Sequence, residues 1–432
     1  MESDFEKLAR SRLPEEALFI HFDVGAFTGE GIIELRDGRL LIVAEEHRLV
    51  SADGGETWST YDPLLDEDGN PISFDYLENI DLIRLDSGQL GMVYEYHPKK
   101  KLINADLRGS SVWFRLSDDE GKTWSKPVRV SEPYNHIWFI HGAIVTSNNR
   151  IVVPVYSFIG GRDPVYSAIR DLSPAKGRAL FGDNWVVVGH HDYESMLCYC
   201  LVYYSDDRGT SWLKNQGIMF DKLGGELMVN IDYTAGGHHS CEEPIVVEVS
   251  PDHLLMILRT PLGRLYQSWS KDDGKTWCTP EPTALASARV PASLARIPGT
   301  EDLLIIWNQA SADEIQRGQQ RIRLSSAISH DGGASWMHGK NIFESKDKDT
   351  ICVEPPPIQC YRSMEHSPRV PPDNMSVHYP TTAFWKDRAI ISFGCRKRTH
   401  YITIDDAKRS NILQKGVTTS ICLGLPIAWF YD

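Results

Sequence analysis

An all-β, six-bladed propeller is the fold this sequence predicts, on three observations. One octapeptide pattern occurs five times, apolar strand pairs recur between the copies, and a sixth strand pair follows the last copy. The copies run Ser51 to Trp58, Ser117 to Trp124, Ser205 to Trp212, Ser270 to Trp277 and Ser329 to Trp336, each reading S-x-D-x-G-x-[TS]-W, the Asp-box. A pattern repeating at tens of residues signals a propeller, solenoid or array. Its aspartates Asp53, Asp119, Asp207, Asp272 and Asp331 are separated by 66, 88, 65 and 59 residues. About 60 residues suit one four-stranded blade with its loops.

Taken in order, each blade has its own signature. Gly31-Ile-Ile-Glu-Leu35 and Arg39-Leu-Leu-Ile-Val43 form the first inner hairpin, joined by a turn at Asp37-Gly38. The same design spans Asp81 to Tyr94, His141 to Tyr156, Ile245 to Leu258, and Ala292 to Trp307. The sixth, without a box, runs from Tyr379 through Phe393. Leu18-Phe-Ile-His-Phe22 is expected to complete the last blade, which would remove free sheet edges. The long second interval implies an insertion of about 160–194 in the third blade. Met1 to Pro14 is charged and helix-like, and 362–373 is a Pro-rich loop. The whole chain, 1–432, reads as a single propeller domain.

The box itself has the chemistry of a turn. A carboxylate accepts from backbone N–H groups the turn leaves unpaired, glycine supplies a positive φ, and tryptophan packs between sheets. The five aspartates are therefore expected to be staples rather than calcium ligands or catalysts.

Composition bounds the partners. Hydrophobic content of 41% and charged content of 24% are ordinary for a soluble globular protein. A net charge of -14 argues against nucleic acid and large polyanions, but not against a small anion in a locally basic pocket. No apolar run is long enough to span a membrane, and no apolar leader core is visible. The expectation is a cytoplasmic protein, or a secreted one if a leader was removed, with homo-oligomerisation left open. The eight cysteines form no C-x-x-C pair and read as reduced thiols, with Cys352 and Cys360 able to pair if the protein is exported. No cofactor is implied. The histidines (His136, His141, His190, His191, His238, His239 and His378) lie near strand ends without metal-ligand spacing, so no metal site is assigned.

Chemistry is expected where inner strands begin and second strands end, at one mouth of the central tunnel. Glu242-Glu243-Pro244 precedes the fourth inner strand, and Arg259 ends the strand after it. Arg321 and Arg323 lead into the last box, Tyr379 opens the sixth inner strand, and Arg396 and Arg398 end its partner. Taken singly, these have bland readings: the arginines as structural ion pairs, and Tyr379 as a packing aromatic.

As a set, they resemble the sialidase superfamily. In that family a glutamate precedes an inner strand, an arginine ends the next, a second arginine leads into a later box, and a tyrosine opens a later blade. Glu243, Arg259, Arg321 and Tyr379 stand in that order. The resemblance implies a glycoside hydrolase acting on a carboxylated sugar, sialic-acid-like or uronic, with a small carbohydrate or oligosaccharide as substrate. Tyr379 and Glu243 would be the catalytic pair, because a phenol is not repelled by the sugar carboxylate but needs a base. Arg259 and Arg321 would grip that carboxylate, with Arg396, Glu30, His141 and Glu242 as further substrate-binding positions.

Two family parts are missing. The first inner strand has no R-I-P arginine, its region reading Gly25-Ala-Phe-Thr-Gly-Glu30-Gly. Ala44-Glu45-Glu46-His47-Arg48 runs almost directly into Ser51, leaving no loop for the usual acid/base aspartate. Glu30, Asp81, His141 and Asp163 are the candidate substitutes, and the sequence does not choose among them. Two other readings stay open. One is a uronate lyase using His141, His239, Tyr379 and Arg259. The other is a sugar-binding propeller without catalysis.

Overall fold

A sheet sandwiched between two others has no polar face, and the strands here are built accordingly. Val153 and Val155 pack with Val93 and Phe114 on one side, while Val152 next to them packs with Leu254 and Met256 on the other. Successive side chains point to opposite faces, so both parities must be apolar. Six buried clusters result, one between each pair of neighbouring sheets.

The computed structural model describes residues 4–20, 29–59, 61–74, 77–96, 110–131, 137–159, 177–181, 184–188, 197–215, 241–316, 321–345, 353–358, 375–397 and 418–432. Their strands form six four-stranded antiparallel blades around a central axis. The inner strands are Gly31–Glu34, Leu77–Arg84, Ile144–Val145, Glu242–Ser250, Ser293–Arg296 and Met375–Trp385. Second, third and outer strands follow outward in each blade. The sixth blade is completed by Leu18–Ile20, which pairs antiparallel with Thr418–Pro426. The ring is thus closed by the segment the sequence marked for that role.

The helix Asp4–Arg10 sets Phe5 and Ala9 into the core between blades 5 and 6. The described part of the third-blade insertion is an antiparallel hairpin of Gly177–Phe181 and Asn184–Val188, and the rest lies outside the described residues, as do 362–373. Among the described residues no helix is long and apolar enough to cross a membrane.

Each box joins the third strand to the outer strand, at the end of the propeller away from where the inner strands begin. In the fourth, the Asp272 carboxylate accepts from Ser270 Oγ at 2.8 Å, Thr276 N at 2.8 Å and Thr276 Oγ1 at 2.6 Å. The box glycines all have positive φ, and at Gly333 an added Cβ would meet Leu255 at 2.3 Å. Trp124 and Trp277 are 1% and 2% exposed, each buried against the preceding blade. Burial alone would raise the Asp119, Asp207, Asp272 and Asp331 carboxyls, but the donors of each box outweigh it and hold them low. Asp53, lowered first by the Thr57 hydroxyl, behaves likewise.

A carboxyl held low in the fold stabilises above its unfolded pKa of about 3.9 and loses that contribution as pH falls through the folded value. Replacing Asp272→Asn should therefore cost about 1–2 kcal/mol at neutral pH. Urea unfolding of both proteins should show that gap closing as pH is taken below about 4.

Candidate active site

The inner strands of blades 2, 4 and 6 each carry a register shift at the end where they begin. The shifts fall between Glu78 and Ile80, Glu242 and Ile245, and His378 and Thr381. The displaced residues Asn79, Glu243 and Tyr379 have φ of 47°, 45° and 55°. Left-handed backbone in a residue other than glycine is strained, and bulges of this kind re-aim a side chain. Pro244 and Pro380 follow two of them and have no N–H to continue the ladder, so the sequence breaks pairing there.

The bulges bring blades 4 and 6 together. Tyr379 Oη donates to Glu243 Oε1 at 3.1 Å. Arg259, opposite Glu242 across the blade 4 hairpin, donates from Nη1 to Glu243 Oε2 and sets its Nε 3.3 Å from Glu242 Oε2. Arg289 closes on Glu242 with a fork, Nε to Oε2 at 3.1 Å and Nη2 to Oε1. The Arg321 guanidinium lies 5.5 Å from the Tyr379 ring centroid, within cation–π range, and His378 meets the ring edge-on at 5.7 Å. Glu242, Glu243 and Arg259 are 2%, 5% and 8% exposed. Burial disfavours the charge of Arg259, but Glu243 and Glu242 outweigh it and drive the guanidinium well above its usual range. Tyr156, on the second strand of blade 3, is pushed well above the phenol range by burial, then by the charges of Glu243, Tyr379 and Glu95.

The remaining sequence candidates separate from this cluster. Glu30 begins an unbulged strand, and its carboxylate is taken by Ser392 Oγ and Ser420 Oγ of blade 6, both at 3.0 Å. His141 Nδ1 pairs with Asp81 Oδ1 at 2.8 Å, while Asp81 Oδ2 accepts from Gly142 N and Ala143 N. Glu30, Asp81 and His141 line an axial cavity of about 320 Å³ bounded by all six inner strands. Glu30 and His141 are thus corrected from mouth to tunnel wall. Arg396 pairs across the blade 6 hairpin with Ser376. Arg323 is bound by Glu314 and Glu344 in a buried ion cluster at 1% exposure, a structural role. Asp163, Arg398, His136, His190, His191, His238, His239, Cys352 and Cys360 lie outside the described residues. Among the described residues no three His, Cys, Asp or Glu side chains are grouped to hold a metal ion. Burial pushes the Cys395 thiol up to about 12.

Sequence reasoning missed Asn79 and Arg289. Asn79 shares the bulge geometry of Glu243 and Tyr379, and its Nδ2 donates to the buried Glu95 carboxylate at 3.2 Å. An asparagine inside an apolar strand pattern was the available signal, since Asn tolerates left-handed backbone. Arg289 sits between the buried Ala288 and Val290, an alternation visible in the sequence but too short to read alone.

The family described as BNR repeat-like domain matches residues 102–391. No curated protein matches the sequence. Among solved structures, a Hadza microbial sialidase aligns with a TM-score of 0.53 at 14% identity, covering 91% of this chain and 65% of that one. Trypanosoma rangeli sialidase in complex with sialic acid aligns with a TM-score of 0.52 at 14% identity, covering 96% and 59%. A protein of unknown function from Dyadobacter fermentans gives 0.56 at 14%, covering 95% and 98%. The chain therefore spans under two thirds of the length of these two sialidases, and at such identities the likeness is one of fold.

Removing the cation between two buried carboxylates is costly, so Arg259→Met should destabilise the protein by about 3–5 kcal/mol. Arg321→Met, at a partly buried position, should cost no more than about 1 kcal/mol. Urea unfolding of the two variants checks the order.

Proposed function

We propose, since the chain belongs to the BNR repeat-like domain family, that it is a glycoside hydrolase of sialidase type acting on a carboxylated sugar through Tyr379 and Glu243. The observation that carries this reading is the 3.1 Å hydrogen bond from the Tyr379 phenol to Glu243, made by two residues on separate blades that both hold left-handed backbone. A packing tyrosine has no need of such strain.

The chemistry follows from the charges. Arg321, beside the phenol ring, takes the sugar carboxylate, which planar guanidinium recognises with two parallel bonds. A carboxylate nucleophile would be repelled by that group, whereas a neutral phenol is not. A free phenol with a pKa near 10 needs a base. The Tyr379 oxygen attacks the anomeric carbon as its proton passes to Glu243 Oε1, and the bond to the leaving oxygen breaks on the opposite face. Water then displaces the phenol from the sugar: Glu243 returns its proton to the Tyr379 oxygen, and the proton shed by the water passes to solvent, which supplies the one taken up by the departed oxyanion. Arg259, between Glu242 and Glu243, holds the Glu243 side chain in place beside the phenol. Its grip on the protein's own carboxylates leaves Arg321 as the principal anchor for the substrate.

The rim of blade 1 adds a constraint. Leu40–Ala44 and His47–Ser51 are joined by the two-residue turn Glu45-Glu46, with Glu45 at φ 52°. Such a turn has no length to carry a proton donor over the sugar. This turn therefore supplies no proton donor, and aryl glycosides, whose leaving groups depart unassisted, are the substrates suited to an assay.

Tyr379→Phe should lower turnover of an umbelliferyl sialoside or uronide by about 10³-fold or more, and Glu243→Gln by about 10²–10⁴-fold, with the fold intact. A difluorinated sugar should leave a covalent adduct on the peptide containing Tyr379, read by mass spectrometry. Undiminished turnover in Tyr379→Phe would overturn the mechanism. Calorimetric binding of acidic sugars by the native protein with no product would assign the propeller to recognition instead.

A further inference from the structure

Arg289 lies outside the hairpins that carry the phenol and its base, yet it is bound into their charge chain. The order is Arg289, Glu242, Arg259, Glu243 and Tyr379, each joined to the next by a hydrogen bond or a close ion pair. Within that chain Arg259 is the ambiguous member. It stands between two buried carboxylates, with Nη1 directed at Glu243 and Nε at Glu242. An unpinned Glu242 would draw the guanidinium into a two-point pair of its own, because that geometry is the strongest a carboxylate and an arginine can form. Arg289 opposes this with its own fork on Glu242, so that Arg259 keeps only the 3.3 Å approach of its Nε to Oε2 while its Nη1 stays on Glu243.

The support for Arg289 is rigid. Ala288 and Val290 on either side are 1% and 0% exposed, packed with Ala310 and Ile315 in a small apolar cluster. Ser287 N donates to Gly263 O at 3.1 Å, and Ser287 Oγ reaches Asn308 O at 3.3 Å. The segment joining blade 4 to blade 5 is thereby held on both sides of Arg289, whose side chain is delivered to Glu242.

We propose that Arg289 is a positioning residue: by locking Glu242 in a forked ion pair it keeps the Arg259 guanidinium on Glu243, and so holds the Glu243 side chain facing the phenol. Its catalytic meaning rests on the function proposed above, but the electrostatic claim stands without it. A lysine cannot take its place, since an ammonium is a point charge and has no fork.

The test is tyrosine Cζ carbon-13 NMR of the full chain, with the Tyr379 resonance assigned by its loss in Tyr379→Phe. In Arg289→Gln the acid-side pH midpoint at which that resonance moves should rise by about one unit. Adding Glu242→Gln removes the competing anion, so the double variant should return the midpoint to the native value. Arg289→Lys should behave like Arg289→Gln. If Arg289→Gln does not fold, Glu242→Gln alone decides: Arg259 then serves only Glu243, and the midpoint should fall below native. An unmoved midpoint in folded Arg289→Gln, or a shift the second substitution leaves in place, overturns the proposal and leaves Arg289 a merely structural cation. The acid limb of any turnover profile should move with the resonance. If Tyr379→Phe stays active while Arg289→Gln still shifts the resonance, the hydrolase mechanism fails and the positioning inference survives.

Discussion

Every blade of this propeller is buried on both faces, and that constraint governs where chemistry is able to stand. Val152 and Val153 point to opposite neighbours, and both are fully buried. A charge placed in mid-strand would sit in an interblade core without water. Polar groups are therefore driven to the axis and to the strand ends. Glu30, Asp81 and His141 went to the axis, and Glu243, Arg259 and Tyr379 went to the ends. On blades 4 and 6 the inner strand carries an irregularity at that point. The bulge turns Glu243 and Tyr379 towards one another, whereas the regular strand beginning at Gly31 leaves Glu30 facing the tunnel.

The cluster at the mouth is an exercise in balancing buried charge. Two adjacent glutamates are nearly inaccessible, and neither is tolerable without a cation. Arg259 serves both, Arg289 completes Glu242, and the phenol completes Glu243. The same solution serves structure alone where Arg323 joins Glu314 and Glu344 in the fifth blade. Arg321 and Arg323 stand two positions apart with different fates: Arg323 opens the third strand of its blade and is buried between carboxylates, while Arg321 lies in the turn before that strand, over the Tyr379 ring.

Much of the scaffold was legible because its determinants are local. The eight residues of an Asp-box contain the turn, its donors and its glycine, so each copy announces its own place in a blade. The order of Glu243, Arg259, Arg321 and Tyr379 was legible for a related reason: each lies at a recognisable strand end. What escaped was the pairing of distant residues. Arg289 meets Glu242 across 47 positions, and Tyr379 meets Glu243 across 136, which no periodicity encodes. His141 and Glu30 were misplaced because a strand start looks alike in sequence whether or not it is bulged. Asn79 was overlooked because a left-handed residue in a strand leaves only a faint compositional trace.

The strand Leu18–Ile20 has one further consequence. Its partner, Thr418–Pro426, is nearly the whole chain away, so during synthesis the earliest strand remains without its mate until the final blade has emerged. Ring closure is then a late, long-range event on the ribosome's timescale, and chains cut short before that point present an apolar edge to their neighbours. A nascent polypeptide of this kind is a natural client for a holding chaperone.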